Sequence, residues 1–580
     1  MKTKVSAAVL LIIMLLSFTA CGTITPSASP DAPGSTASPD IPSETPKPDF
    51  PEYPDETVKL TDLGGYTIVY PSYYDEYRMN EVYILRDTIK KVTGAELKII
   101  SDGEAKGEHE IILASSSRQS GVEESIEMFE SGLDYVVGEL NGNIILGGNN
   151  FYADMRAVYD FINNYLGYND VDNIYSELKR EISGVNLNIY KEPIFTLMGS
   201  NFSVSPYTEQ YAVRDMHEAH FNLTLIDIGL YNSEQIRDFV KWCARYEIFI
   251  MMRGIQYVDV YADCPIIWGH VIMDEPALSM FASCSQACAE YIEKYSQYGW
   301  QPYVNFTGFD YVFEMLEAFP QLFESVPVVS FDRYFERSLI DNVYMKETNL
   351  LHVYELARER SVNTGKDLWT YIDAYNIVNR SKNSSKLFRW SSYISLSFGA
   401  KGILYFQYGD ASPNYTAEGD WTNGSLANWD FSKTEAWYDA KRCNEELLAL
   451  AEILNEYEYV GAYVHNTSFK QFYNTFIENP YTEYDSIVAD IKKPTLAMPY
   501  LFGFYDKKDN GNSHAITLLS LESLDELKYG ENEPEYTQIK LNGENIKFYH
   551  EGVLQDIEPD DDGYYSIDVS NGSCWFITMD

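Results

Sequence analysis

At 580 residues the chain is several times a single-domain length, so two to four domains are expected. Its 43 Lys and Arg stand against 87 Asp and Glu, a formal charge of -44 with a pI near 4.4. That potential repels nucleic acid and excludes a basic membrane-binding face.

Taken in order, the chain opens with Lys2 and Lys4, an apolar run over 5–16 and Ser-Phe-Thr-Ala-Cys at 17–21. The run is too short to span a bilayer as a mature helix and reads as a secretory signal. It resembles a bacterial lipoprotein signal, with Thr19 and Ala20 before Cys21, though Phe18 stands where an aliphatic residue is usual. The resemblance implies that residues 1–21 are a signal peptide, that Cys21 becomes the lipidated first residue, and that the protein works on the outer face of the cell membrane; an ordinary cleaved signal is the other reading. Residues 22–55 carry nine prolines among Ser, Thr and Asp. Such a segment cannot bury a core; it forms an extended tether with a reach on the order of 100 Å.

Residues 56–190 predict a small α/β domain. Strands are expected at 66–70, 97–100 and 110–114, a helix over 76–92 closed by Gly94, a hairpin of 134–139 and 143–146 turning at Asn141-Gly142, and a helix over 152–165 ended by Gly167. This order resembles the small domain that precedes the barrel in family 20 hexosaminidases and family 67 α-glucuronidases. Gly147-Gly148 lacks the rest of a phosphate-binding fingerprint and reads as a loop.

Residues 191–454 alternate short apolar runs with helical ones. Strands are expected at 194–201, 223–228, 248–255, 266–274, 302–306, 326–331, 368–373 and 402–408, with helices including 234–246, 278–298, 343–360, 386–398 and 434–454. Eight strands each followed by a helix is the count of a (β/α)8 TIM barrel, with an open doubly wound sheet as the alternative. Cys243, Cys284 and Cys288 fall on apolar helix faces and read as core residues, and no disulfide framework is expected. His217 and His220 have near-ligand spacing without further ligands, so no metal is expected. From 455 to 580 helical spacing gives way to strands separated by turns at 509–511, 542–543 and 562–563, the pattern of a C-terminal β-sandwich. The whole is thus a multidomain chain: α/β domain, barrel, β-sandwich.

Strand four, Ile-Ile-Trp-Gly-His-Val-Ile-Met-Asp-Glu-Pro at 266–276, organises the functional reading. A continuous apolar run suits a strand covered on both faces, and Pro276 ends its ladder. Asp274 and Glu275 then sit at the C-terminal strand end, where barrel loops converge on one pocket. Neighbours on an extended strand face opposite ways, so both enter the pocket only if the strand end bulges. Trp268 and His270 alternate along the strand and are expected to fill the barrel. The other strand ends bring Asn201, Asp227, Arg253, Asn305, Asp332 with Arg333 and Tyr334, Asp373 with Tyr375, and Gln407 with Asp410. Trp421, in the loop after strand eight, is a candidate sugar platform or loop anchor, and the 48 tyrosines suit stacking on sugar rings. This set is rich in carboxylates and has no Ser-His-Asp series. Paired carboxylates are what glycoside hydrolysis needs, one to protonate the leaving oxygen and one to attack or to activate water.

Here the residues carry a resemblance. Asp274-Glu275-Pro276 is similar to the Asn-Glu-Pro of clan A glycoside hydrolases, with Asp for Asn, which implies Glu275 as acid/base. Ser330-Phe331-Asp332-Arg333-Tyr334 at strand six, and Arg389-Trp390 with 399–406 at strand eight, resemble less-characterised barrel hydrolases. Clan A enzymes take a nucleophilic Glu from strand seven, where 368–376 offers only Asp373. Three mechanisms stay open: Asp373 as nucleophile with retention; Glu275 as acid with Asp274 steadying an oxazolinium formed by the substrate; or Glu275 as acid and Asp332 as base with inversion, Arg253 or Arg333 holding a uronate. The expected protein is a tethered glycoside hydrolase acting on a poly- or oligosaccharide without a cofactor. The competing class is a non-catalytic lipoprotein, either a carbohydrate-binding relic of the barrel or a solute-binding component of an importer.

Overall fold

The structure, a computed structural model, describes residues 50–54, 56–201, 209–316, 318–334, 350–374, 384–409, 425–428, 431–465, 477, 480–492, 499–508, 513–521, 536–570 and 572–580. The signal segment with Cys21, and the tether as far as residue 49, lie outside them, as do Tyr375, Asp410 and Trp421. Among the described residues no helix is long and apolar enough to cross a membrane.

The first layer is a six-stranded sheet in the order Val185–Asn188, Tyr135–Leu140, Asn143–Gly147, His109–Leu113, Tyr66–Tyr70, Lys98–Ser101. Its last four strands are parallel; the hairpin strand Tyr135–Leu140 runs against them. Asn141 and Gly142 take the two left-handed conformations that such a tight hairpin needs, φ 55° and 77°. Helix Glu76–Thr93 starts at Asp75, whose carboxylate accepts from the Arg78 amide, and stops at left-handed Gly94. Its flank docks on the barrel through Tyr77, which donates to Asp238 at 3.1 Å, and through the buried pair Lys241 and Glu81 at 2.9 Å.

Eight parallel strands then close into a barrel: β1 (Thr196–Asn201), β2 (Leu223–Asp227), β3 (Phe249–Arg253), β4 (Ile267–Asp274), β5 (Gln301–Thr307), β6 (Val328–Asp332), β7 (Asp367–Asp373) and β8 (Gly402–Phe406), with β8 pairing back onto β1. All eight expected strands are present, and closure rules out the open sheet. Alternate residues fill the interior, where Met198, Leu225, Met251, Tyr303, Val328, Trp369, Tyr371 and Leu404 pack together. The intervening residues, among them Ile226, Ile250, Val304, Phe331, Ile372 and Tyr405, face the helical ring. Cys243, Cys284 and Cys288 are buried in that outer layer.

β4 departs from simple alternation twice. Against β3 its register shifts across Trp268, and against β5 across Ile272, so each of these is an extra residue in the ladder. Trp268 enters the barrel as expected and lies against Trp369 and Tyr303. His270 does not. The Trp268 bulge turns it outward into the helical layer, where it is fully buried among Tyr261, Tyr291, Tyr295 and Trp300.

After helix Glu435–Leu454 come an antiparallel six-stranded sheet (Tyr457–His465, Tyr500–Lys507, His514–Ser520, Cys574–Met579, Lys547–His550, Val553–Gln555) and a three-stranded one (Val488–Lys492, Tyr536–Leu541, Tyr565–Asp568). They bury a common core of Val488, Ile539 and Ile567 against Phe502, Phe504, Ile516 and Ile577. The larger sheet meets the barrel at helix Ser384–Ser397, where the Trp390 indole donates to the Ser520 carbonyl at 2.9 Å.

Two expectations follow. At Gly269 the backbone of β5 comes so close that a Cβ would lie 1.9 Å from the Gln301 carbonyl oxygen, so Gly269→Ala should destabilise the protein by about 1–3 kcal/mol in urea titration. In the first layer, burial pushes the Asp154 carboxyl up to about 7, against hydrogen bonds from the Ser115 and Tyr74 hydroxyls and the Ser115 and Gly148 amides. A folded pKa above the unfolded one means that its stabilising contribution is complete below the ordinary value of 3.8 and is lost as pH rises through about 7. Asp154→Asn should therefore flatten the fall in melting temperature between those pH values.

Candidate active site

At the C-terminal mouth of the barrel, interior alternation delivers Arg253, Asn305, Asp332 and Asp373 from β3, β5, β6 and β7. The residues two places earlier on those strands, Met251, Tyr303, Ser330 and Tyr371, are all buried. Asp274 joins them because of the Ile272 bulge. Without the extra residue its side chain would face the helices; with it, Asp274 pairs opposite Asn305. Glu275 then takes a left-handed conformation, φ 48°, fixed by its amide donating to the Asn305 carbonyl at 2.8 Å. A left-handed residue with a long side chain is rare, and its occurrence at a strand end marks an imposed geometry.

The side chains converge on the Asn305 amide. Its Nδ2 donates to Asp274 Oδ1 at 3.2 Å and to Asp332 Oδ1 at 3.3 Å. Arg253 Nη2 donates to the other Asp274 oxygen at 2.9 Å. Asp332 and Glu275 hydrogen-bond to each other. Desolvation, then the charges of Glu275 and Asp274, hold the Asp332 carboxyl well above the usual carboxylate range, with the Asn305 amide opposing them.

A polar floor lies beneath. Ser330 Oγ donates to Asn305 Oδ1 at 3.4 Å, Tyr303 lies 2.6 Å from Ser330, and the Tyr371 hydroxyl is 3.5 Å from that of Tyr303. Because Ser330 occupies the amide oxygen, both amide protons of Asn305 face the carboxylates. Tyr303 and Tyr371 carry no sequence motif, and Ser330 stood only at the head of the strand-six stretch without a role; reading back two residues from each strand end would have placed all three.

Among the described residues, the remaining expected site residues make no hydrogen bond in this cluster that links them to Asn305. Asp373 is buried at the end of β7, on the same face as Trp369 and Tyr371, and Gln407 is buried after β8. Asp227 caps the short turn after β2, accepting from the Gly229 amide at 3.0 Å. Arg333 lies 4.8 Å over the Phe309 ring, and Tyr334 packs against Phe406. Asn201 ends β1, its side chain outside the described residues. Among the described residues no group of three or more His, Cys, Asp or Glu is arranged to hold a metal ion.

Asp332→Asn mimics the protonated acid, with the amide able to donate to Glu275 and accept from Asn305. Since the folded pKa is raised, the stability tied to this carboxyl is present at low pH and is lost as pH rises through the raised value. The variant should therefore be more stable than the parent near neutral pH, by about 0.5–2 kcal/mol. Thermal melts at a series of pH values should show the gap closing as pH falls.

No family model matches the chain, and no curated protein matches it. Solved structures similar to it include a GH2 β-galacturonidase from Eisenbergiella tayi (13% identity, 46% of this chain and 55% of that one, TM-score 0.31). Others are xylanase 10B from Thermotoga petrophila (10%, 45% and 99%, 0.30) and a chitobiase from Flavobacterium johnsoniae (11%, 69% and 71%, 0.27). This chain spans about half the length of the β-galacturonidase. With TM-scores near 0.3 these likenesses carry no argument about the site, and the closed barrel stands on its own strand pairing.

Proposed function

We propose that the chain is a glycoside hydrolase, tethered through Cys21 to the outer face of the membrane, that cleaves O-glycosidic bonds of a poly- or oligosaccharide by carboxylate acid/base catalysis. In this reading the first layer is a hexosaminidase-like buttress and the paired C-terminal sheets are a β-sandwich; both brace the barrel. The observation that carries the reading is the Asp332–Glu275 pair. Burial and its neighbours' charges raise the Asp332 carboxyl above the usual carboxylate range, beside a third carboxylate, Asp274, oriented by Arg253 and Asn305. Glycoside hydrolysis needs both parts: a proton for the leaving oxygen, and negative charge facing the oxocarbenium-like centre.

The pair acts as the acid, with Glu275 presenting the shared proton to the glycosidic oxygen. Asp274 is held as the stabilising anion. Since Glu275 and Asp332 act together as the acid in this reading, neither is left to act on the opposite face of the sugar. The group on the opposite face of the sugar therefore comes from Asp274, Asp373 or the substrate itself.

Sugar release from aryl glycosides and polysaccharides, N-acetylhexosaminides and uronides included, should be seen with the parent and fall by about 10²–10⁴-fold in Glu275→Gln. Asp332→Asn should also release less sugar near neutral pH, because an amide has no proton to pass to Glu275. Equal rates in parent and Glu275→Gln would remove Glu275 from the mechanism. No release by the parent from any substrate, with binding retained, would favour a carbohydrate-binding lipoprotein.

A further inference from the structure

We propose that His270 is a positioning residue for the carboxylate cluster: it pins the register of β4 between its two bulges and so aims Asp274 at Arg253 and Asn305. Where the proposal speaks of turnover it rests on the hydrolase reading; its geometric content does not.

His270 stands between the two extra residues Trp268 and Ile272, paired with Met252 on β3 and Pro302 on β5. Its ring is fully buried, with Nδ1 2.7 Å from the Tyr291 hydroxyl and Nε2 3.2 Å from the Tyr261 hydroxyl. Burial lowers its pKa to about 4, so at neutral pH the ring is uncharged, one nitrogen donating and the other accepting. The two tyrosines supply the complementary acceptor and donor. Tyr261 ends the short helix Val258–Tyr261, which follows Arg253. Tyr291 belongs to helix Phe281–Tyr295, which follows Glu275. One imidazole thus ties β4 to the segments that leave both halves of the Arg253–Asp274 pair.

A bulge is a choice of register, and a slip of one residue would erase it. Sliding β4 by one would bring Val271 to the position of His270 and strand two buried tyrosine hydroxyls without partners. It would also turn Asp274 toward the helices. Trp268, packed on Trp369 inside the barrel, resists the slip by shape; His270 resists it by hydrogen bonding, which is directional.

The test compares the full-length parent with His270→Phe, which keeps a ring and loses both hydrogen bonds, His270→Gln, which can donate and accept, and Tyr291→Phe, which removes one oxygen and almost no volume. Asp332 is titrated by carboxyl 13C NMR, its signal assigned by its absence in Asp332→Asn. In His270→Phe, with Asp274 and Glu275 no longer aimed at it, the Asp332 midpoint should fall by on the order of one pH unit. Tyr291→Phe should shift it the same way by less, and His270→Gln should restore it. For whichever glycoside the parent cleaves, kcat should fall by roughly 10²-fold in His270→Phe with KM little changed. If the parent cleaves none, the titration alone decides, so failure of the hydrolase reading leaves this result readable. Where His270→Phe does not fold, Tyr291→Phe takes its place. A folded His270→Phe or Tyr291→Phe with the parent's Asp332 midpoint overturns the proposal.

Discussion

Burying a carboxyl beside two others costs free energy that only hydrogen bonds and a counter-charge can offset. The mouth of this barrel is arranged around that cost. Arg253 supplies the cation for Asp274, the Asn305 amide divides its two protons between Asp274 and Asp332, and burial with the remaining repulsion raises the Asp332 carboxyl well above the usual carboxylate range. The amide works only in one orientation. Turned over, its oxygen would face two carboxylates, and Ser330, bonded to that oxygen, sets it the right way round. Tyr303 and Tyr371 extend this polar floor toward the middle of a barrel otherwise filled by apolar and aromatic side chains.

The eight strands were legible because each is a compact apolar run between turn signals, and parallel strands buried on both faces must read that way. The hairpin at Asn141-Gly142 was legible for the same local reason, since few residue pairs accept two left-handed conformations. What could not be read is what arises between strands. The bulges at Trp268 and Ile272 are mismatches of register against β3 and β5, and the apolar pattern of β4 does not announce them. They account for the misplacement of His270 and for the entry of Asp274 into the pocket, and the left-handed conformation of Glu275 then brings in the second carboxylate against strict alternation. Gly269 was the one local hint, because a glycine inside a strand marks a bulge or a close backbone approach. Ser330 and Tyr371 were hidden differently: alone they look like barrel filling, and only their stacking beneath Asn305 gives them a part.

The flanking layers attach to the barrel at separate places. Helix Glu76–Thr93 of the first layer grips the helix after β2 at Lys241 and Asp238, and the larger C-terminal sheet grips the helix after β7 through Trp390. Each contact includes a buried directional hydrogen bond, Lys241 to Glu81 and Trp390 to Ser520, so each fixes an orientation as well as burying area. Between these grips, going round the ring, lie β3, β4, β5 and β6, the strands that carry Arg253, Asp274, Asn305 and Asp332.

The residues of the cluster therefore come from four strands consecutive in the chain, each hydrogen-bonded to the next, while the seam that closes the ring joins β1 to β8 from its two ends. Loop-closure entropy makes neighbour pairing the cheaper event and seam closure the dearer one. The barrel is thus uneven as a machine part: a short, locally wired arc holds mutually repelling charges in place, and the long-range seam lies outside that arc. Opening at the seam and misalignment within the arc are different failures, and only the second reaches the carboxylates directly.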